Sequence, residues 1–219
     1  MTGQLIPYLV FSLAHVLGEF IGSMKIRYFT KLLLMPLLAL YYLAGNPDPS
    51  ILMILAIAGG WLGDLFLMIP DPEKTRRWFK PGLVAFLLGH IFYMSVFFRA
   101  SAGKIELTMP VITLTGFVIV YCALVFLKLK PYMGKLAPAI TVYIVVIAAM
   151  GISAVLCLPG QAAGPAVTVI AGAMIFMVSD TVNAWNKFAK EVPMERVITM
   201  TTYLAGQGLL VAGYLGFIL

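Results

Sequence analysis

The sequence predicts an all-α polytopic membrane protein, a bundle of eight transmembrane helices, and three observations predict it. Hydrophobic residues fill 62% of the 219 positions and charged residues only 11%, with a mean hydropathy of +1.00, whereas soluble domains are roughly a quarter charged and half apolar. The apolar residues gather into eight runs, each close to the length of about 20 residues that crosses a bilayer. The cations between the runs lie almost entirely on one side of the alternating chain.

Taken in order, the runs are Leu5 to Gly22, Tyr28 to Ala44, Ile51 to Ile69, Pro81 to Phe98, Met109 to Leu127, Leu136 to Leu158, Ala166 to Trp185 and Val197 to Leu219. The first has no Lys or Arg ahead of it and carries His15 and Glu19. It lacks the basic start and clean apolar stretch of a signal peptide and is expected to be retained. The cuts fall at breakers: Gly45-Asn-Pro-Asp-Pro-Ser50, the charged segment Asp71 to Lys80, Lys128 to Lys130 followed by Pro131, and Pro159-Gly160. Eight spans with short loops use up the chain, so 1–219 reads as a single integral membrane domain.

The charges set an orientation. Lys25, Arg27 and Lys31 flank the first connection, Lys74, Arg76, Arg77 and Lys80 the third, Lys128, Lys130 and Lys135 the fifth, and Lys187, Lys190 and Arg196 the seventh. That leaves only Arg99 and Lys104 of the 15 cations on the other side, and the positive-inside rule makes the crowded side cytoplasmic. Both termini then face outside, and the expected location is the plasma (inner) membrane of a bacterium. The net charge of +6 reads as a topology signal rather than as a nucleic-acid surface, so no nucleic-acid partner is expected. Cys122 and Cys157 fall in different spans near opposite faces, which argues against a disulfide.

Six of the nine acidic residues lie in loops, leaving Glu19, Asp64 and Asp180 inside spans. An ionisable side chain at membrane depth costs several kcal/mol, so it faces inward and has a partner or a task. Helix direction places all three acids in the cytoplasmic half, Asp64 and Asp180 each about 8 Å above the end of its helix at 1.5 Å per residue. His90, Thr141, Tyr143, Asn183, Tyr203 and Gln207 fall at similar levels. His15 with Glu19 and Tyr203 with Gln207 are four apart, and His90 with Tyr93 three apart, so each pair shares a helix face. Gly59 and Gly63 form a small-xxx-small pattern beside Asp64, where another backbone can approach closely. Blander roles exist for the same residues: an Asp is also a polar latch between helices, His15 and Glu19 satisfy each other, His90 packs as a neutral ring, and Lys31 snorkels to the interface.

No nucleophile elbow, phosphate loop, HExxH or CxxC is present. With two histidines in the chain, a metal site would lean on Asp64, Asp180 and Glu19, and the simpler expectation is neither metal nor cofactor. A pair of carboxylates divides naturally into a general acid and an ionised partner that acts as base or steadies a cation.

Five stretches carry a resemblance: GDLFLM around Asp64, FLLGHIFYMSVF with His90, PAITVYIVVIAAM with Tyr143, GAMIFMVSDTVNAW with Asp180, and the closing YLAGQGLL with Tyr203 and Gln207. In this order they resemble the lysoplasmalogenase, or YhhN-type, family of membrane proteins along nearly the whole chain. One departure lies in the second span, where the family often has Lys-Pro and this chain reads Lys31-Leu32, with Pro36 later. The resemblance implies hydrolysis of the vinyl ether bond of an alkenyl lysophospholipid, giving a fatty aldehyde and glycerophosphoethanolamine or glycerophosphocholine. The partners implied are that lysophospholipid, water and the bilayer. Asp64 and Asp180 are the catalytic candidates. Glu19, His90, Tyr143, Asn183, Tyr203 and Gln207 are candidates for orienting water and substrate, and Lys31 for meeting the lipid phosphate.

A proton-coupled transporter is the rival reading, because buried Asp residues also serve as proton relays. A weak four-plus-four repeat keeps it open: Lys31 and Pro36 parallel Lys135 and Pro138, and Asp64 parallels Asp180. Paired Gly/Pro interruptions within corresponding spans, the mark of broken transporter helices, are not evident.

Overall fold

The computed structural model describes residues 2–69, 77–101 and 105–218. Among them are eight α-helices: α1 (Thr2–Phe20), α2 (Met24–Gly45), α3 (Ile51–Met68), α4 (Phe79–Ala100), α5 (Met109–Leu129), α6 (Ala137–Val155), α7 (Ala163–Phe188) and α8 (Glu195–Leu215). Each corresponds to one of the eight apolar runs, with ends that differ by up to four residues. Lys74, Arg76 and Lys104 of the cation pattern, and Leu219, lie outside the described residues.

Helices α2 to α7 are long and apolar enough to cross a membrane, which makes the chain a multi-pass membrane protein. In α1 and α8 the apolar runs are diluted, by Gln4, His15 and Glu19 in the first and by Glu195, Arg196, a group of threonines and Gln207 in the last. The chain forms two compact units, Met1–Tyr93 and Met94–Leu219.

In the first unit α1 packs on α2 and α2 on α3, with Leu34, Leu38, Tyr42 and Met53 fully enclosed. Helix α3 meets α4 through glycine: a Cβ placed on Gly59 would lie 2.7 Å from the Cα of Gly89, so the backbones touch there, as the small-residue pattern predicts. Proline shapes α2. Pro36 has no N–H to give the carbonyl of Leu32 one turn earlier, and the indole Nε1–H of Trp61 on α3 donates to that carbonyl at 3.1 Å. The breaker segment after α2 is tied by side chains, since the Tyr42 hydroxyl accepts from Asn46 Nδ2 at 2.9 Å and from the Ser50 amide at 2.8 Å.

In the second unit α5, α6 and α7 pack together and α7 packs on α8. The latter contact is another glycine seam, where a Cβ on Gly172 would stand 2.7 Å from the Leu210 nitrogen and 3.0 Å from the Gly206 oxygen. The turn joining α5 to α6 contains two short 3-10 segments, Lys130–Tyr132 and Gly134–Leu136. Leu129, Met133 and Ile140 form a core there, against Trp185 and Phe188 of α7. Cys122 and Cys157 are both buried free thiols.

Candidate functional site

Buried charge in the first unit collects where α1, α2 and α3 meet. Asp64 is only 4% exposed, and its Oδ1 pairs with the Lys31 ammonium at 3.0 Å. One turn earlier on α2, Arg27 Nε lies 2.8 Å from Glu19 Oε1. The cations at i and i+4 thus share one face of α2 and meet carboxylates from α1 and α3. Pairing is what lets such groups sit in an apolar bundle, because an unpartnered charge there costs several kcal/mol. Asp64 Oδ2 and Glu19 Oε2 are buried and accept no hydrogen bond among the described residues. The Trp61 contact with Leu32 joins α2 to α3 beside the Lys31–Asp64 pair and fixes the register that brings the two together.

His15 joins this cluster. The Thr30 hydroxyl donates to the Ile26 carbonyl at 2.6 Å, which leaves its oxygen to accept from His15 Nδ1 at 2.7 Å. The other ring nitrogen stands 3.6 Å from Glu19 Oε1, so the expected i, i+4 pair shares a face, and the same carboxyl oxygen also meets Arg27. His90 is different: its Nδ1–H donates to the Phe86 carbonyl of its own helix at 2.6 Å.

Asp180 belongs to the second unit and lines a cleft between α5, α6 and α7. The Tyr143 hydroxyl of α6 donates to Asp180 Oδ2 at 2.6 Å. Beside it the Tyr121 hydroxyl of α5 donates to Thr181 at 2.8 Å, and the Thr181 hydroxyl donates in turn to the Met177 carbonyl. The remaining wall is apolar, built mainly by Val125, Leu129, Ile140, Ile144, Ile147 and Met177. Counted with the space at its half-open mouth, the cleft measures about 430 Å³. The arrangement sets one carboxyl and two phenols against hydrocarbon walls, the mixture that binds and orients an amphiphile.

The sequence candidates therefore separate into groups. Glu19, Lys31 and Asp64 come together in the first unit, and Tyr143 and Asp180 in the second. Tyr203 packs edge-on against Phe176 at 5.4 Å in the α7–α8 seam, and Gln207 is buried on the same helix. Asn183 is half-buried one turn beyond Asp180, and Thr141 turns to the Ala137 carbonyl of its own helix. Arg27, Tyr121 and Thr181 were not among the candidates. Tyr121 carried a signal, since it sits well inside α5 rather than at the end where belt tyrosines gather.

Comparison with known proteins shows the family. The YhhN family model matches residues 26–214, from α2 to near the end of α8. A Bos taurus protein named lysoplasmalogenase TMEM86A is 31% identical over 153 residues, 68% of this chain and 59% of that protein. The Homo sapiens lysoplasmalogenase TMEM86A is 31% identical over 150 residues, 67% of this chain and 58% of its own length. The Homo sapiens lysoplasmalogenase TMEM86B is 32% identical over 129 residues, 59% and 50% respectively. The chain thus spans between half and three-fifths of the curated relatives it matches. No solved structure matches it. With most of its length, including the helices that carry Lys31, Asp64, Tyr143 and Asp180, inside the matched region, the chain belongs to the YhhN family.

Proposed function

We propose that this protein is a lysoplasmalogenase-type hydrolase that cleaves the vinyl ether bond of an alkenyl lysophospholipid within the membrane. The carrying observation is the Tyr143–Asp180 hydrogen bond in an apolar cleft, in a chain whose curated relatives are named lysoplasmalogenases. A vinyl ether asks for acid. A proton is added to the carbon β to oxygen, the resulting oxocarbenium ion takes up water and loses a proton to a base, and the hemiacetal divides into aldehyde and alcohol. No oxidant or reductant is needed.

Asp180 is assigned the proton donor, with Tyr143 holding its carboxyl in place. Asp64, ion-paired to Lys31, is the second carboxylate we put forward, for the base or cation-steadying part that a second acid plays in glycosidase chemistry. In this reading α1 and α8 also cross the bilayer, giving eight spans in a single membrane domain with both termini outside and the chemistry in the cytoplasmic half of a bacterial plasma membrane. Neither metal nor cofactor takes part.

The test is purified protein given an alkenyl lysophosphocholine and its acyl counterpart, with aldehyde and fatty acid both followed. Aldehyde from the alkenyl lipid alone, undiminished by a chelator, is the expected result. Equal turnover of the acyl lipid would remove the vinyl-ether reading. Proton flux in vesicles without aldehyde release would replace it with a transporter, and activity lost on chelation and restored by one metal would overturn the metal-free mechanism.

A further inference from the structure

Resting on that hydrolase reading, we propose that the α5–α6–α7 cleft is the seat of the first carbons of one lipid chain. The chain's glycerophosphate would lie toward the lysine-bearing end of the same three helices. The walls give the first half of the argument. Tyr143–Asp180 and Tyr121–Thr181 place polar groups partway along a surface otherwise made of Val125, Leu129, Ile140, Ile144, Ile147 and Met177. From Ala184 to Met177 the cleft follows about 10 Å of helix at 1.5 Å per residue. That is room for the head of a chain and not for its whole length.

The outer surface gives entry. Leu124, Leu127, Val142, Val145 and Val178, on the three helices that build the cleft, are all at least 41% exposed, so these helices present apolar outer faces to the bilayer around the half-open cleft. An alkyl chain reaching it from the bilayer leaves one apolar environment for another.

The ends give polarity. The core of Leu129, Met133 and Ile140 closes the bottom of the cleft, and Lys128, Lys130, Lys135 and Lys190 stand exposed at that end, with the Lys130 ammonium 5.9 Å from the Phe126 ring. Asp180 lies about 10 Å of helix from Lys187. An anion attracted to these lysines leaves the carbons just beyond the glycerol at the level of the carboxyl. The occupant that satisfies both halves is a lipid with one chain and one phosphate.

The experiment uses the full chain and a saturated 1-O-alkyl lysophosphocholine, which has no bond to cleave, carrying a photoactivated diazirine near the glycerol end. Label is expected on peptides of α5, α6 and α7. Unlabelled alkyl lysophosphocholine should compete, while dialkyl phosphatidylcholine, and the same single chain without phosphate, should compete several-fold more weakly. Val125→Phe and Ile144→Phe each put bulk into the cleft from half-buried positions and should cut labelling several-fold. Ile119→Phe, on the exposed side of α5, should not. Label confined to α1–α4 peptides, or unchanged yields in folded Val125→Phe and Ile144→Phe proteins, would overturn the proposal. Equal competition by the chain without phosphate would overturn the lysine end of it. Cleft labelling without any aldehyde release from an alkenyl lipid would uphold the cleft and defeat the hydrolase reading, and aldehyde release without cleft labelling would do the reverse.

Discussion

Asp64 and Asp180 have the same side chain, yet they meet different partners, an ammonium at 3.0 Å and a phenol at 2.6 Å. The difference makes their roles separable by substitution. Asp180→Asn keeps the volume and an acceptor for Tyr143, so it should leave a stable protein whose turnover falls by about 10² to 10⁴, the usual cost of removing a positioned acid or base. Asp64→Asn strands the Lys31 ammonium, so it should lose stability as well as turnover, since leaving one partner of an enclosed pair uncompensated costs up to about 3 kcal/mol. Lys31→Met with Asp64→Asn removes both charges and should recover the stability without the activity. Near-normal aldehyde release in that double variant would make the pair a scaffold and nothing more. Both acids were legible from the sequence, because carboxylates in apolar runs stand out. The pairings with Lys31 and Tyr143, themselves candidates, were not, because a long lysine side chain two turns into a helix can reach the interface or turn inward, and only packing decides.

At the scale of helices, the eight apolar runs located every element to within a few residues, and the small-residue pattern beside Asp64 located a contact before any neighbour was known. The identity of that neighbour, Gly89 of α4, was beyond sequence reasoning, since Gly59 and Gly63 say only that something approaches. The role of Pro36 was hidden for the same reason: the loss of a helix hydrogen bond is local, but the donor that replaces it, Trp61, comes from another helix. The contact itself can be tested by adding one methyl group. Gly59→Ala would put a Cβ 2.7 Å from the Gly89 Cα, which forces α3 and α4 apart and disturbs the helix that holds Asp64. Overpacking of this kind typically costs about 1–3 kcal/mol. Gly116→Ala, in α5, has nothing within 4 Å, and there Ala should be neutral or slightly stabilising, as helix propensity favours it by up to about 1 kcal/mol. Equal thermal stability of the two variants in detergent would show that the α3–α4 backbone contact is not what positions Asp64.

At the scale of the whole chain, the weak four-plus-four repeat gains a physical content. In the first half α2 brings Lys31 to Asp64 on α3; in the second, α6 brings Tyr143 to Asp180 on α7. The sequence parallel had matched Lys31 with Lys135, but Lys135 is exposed in the turn before α6, and the inward partner is a phenol. The repeat therefore preserves which helix serves the acid and changes the chemistry it supplies, a distinction that charge and proline spacing could not reveal. The same alternation of helices carries the topology. If all eight cross, an even number returns the carboxyl terminus to the side of the amino terminus, and the cations crowded at the other side make that side cytoplasmic. The weakest members of the count are α1 and α8, whose polar residues dilute their apolar runs, so the decisive measurement is at the far end. A reporter active only in the cytoplasm, fused after Leu219, should be silent, and one active only outside should report. Activity of the cytoplasmic reporter would mean that α8 does not cross, since losing it while keeping the cation-rich loops in the cytoplasm leaves the carboxyl terminus on the side of the seventh loop. A second fusion ahead of Thr2, read in the same way, tests α1, because the side of the amino terminus depends on that helix alone.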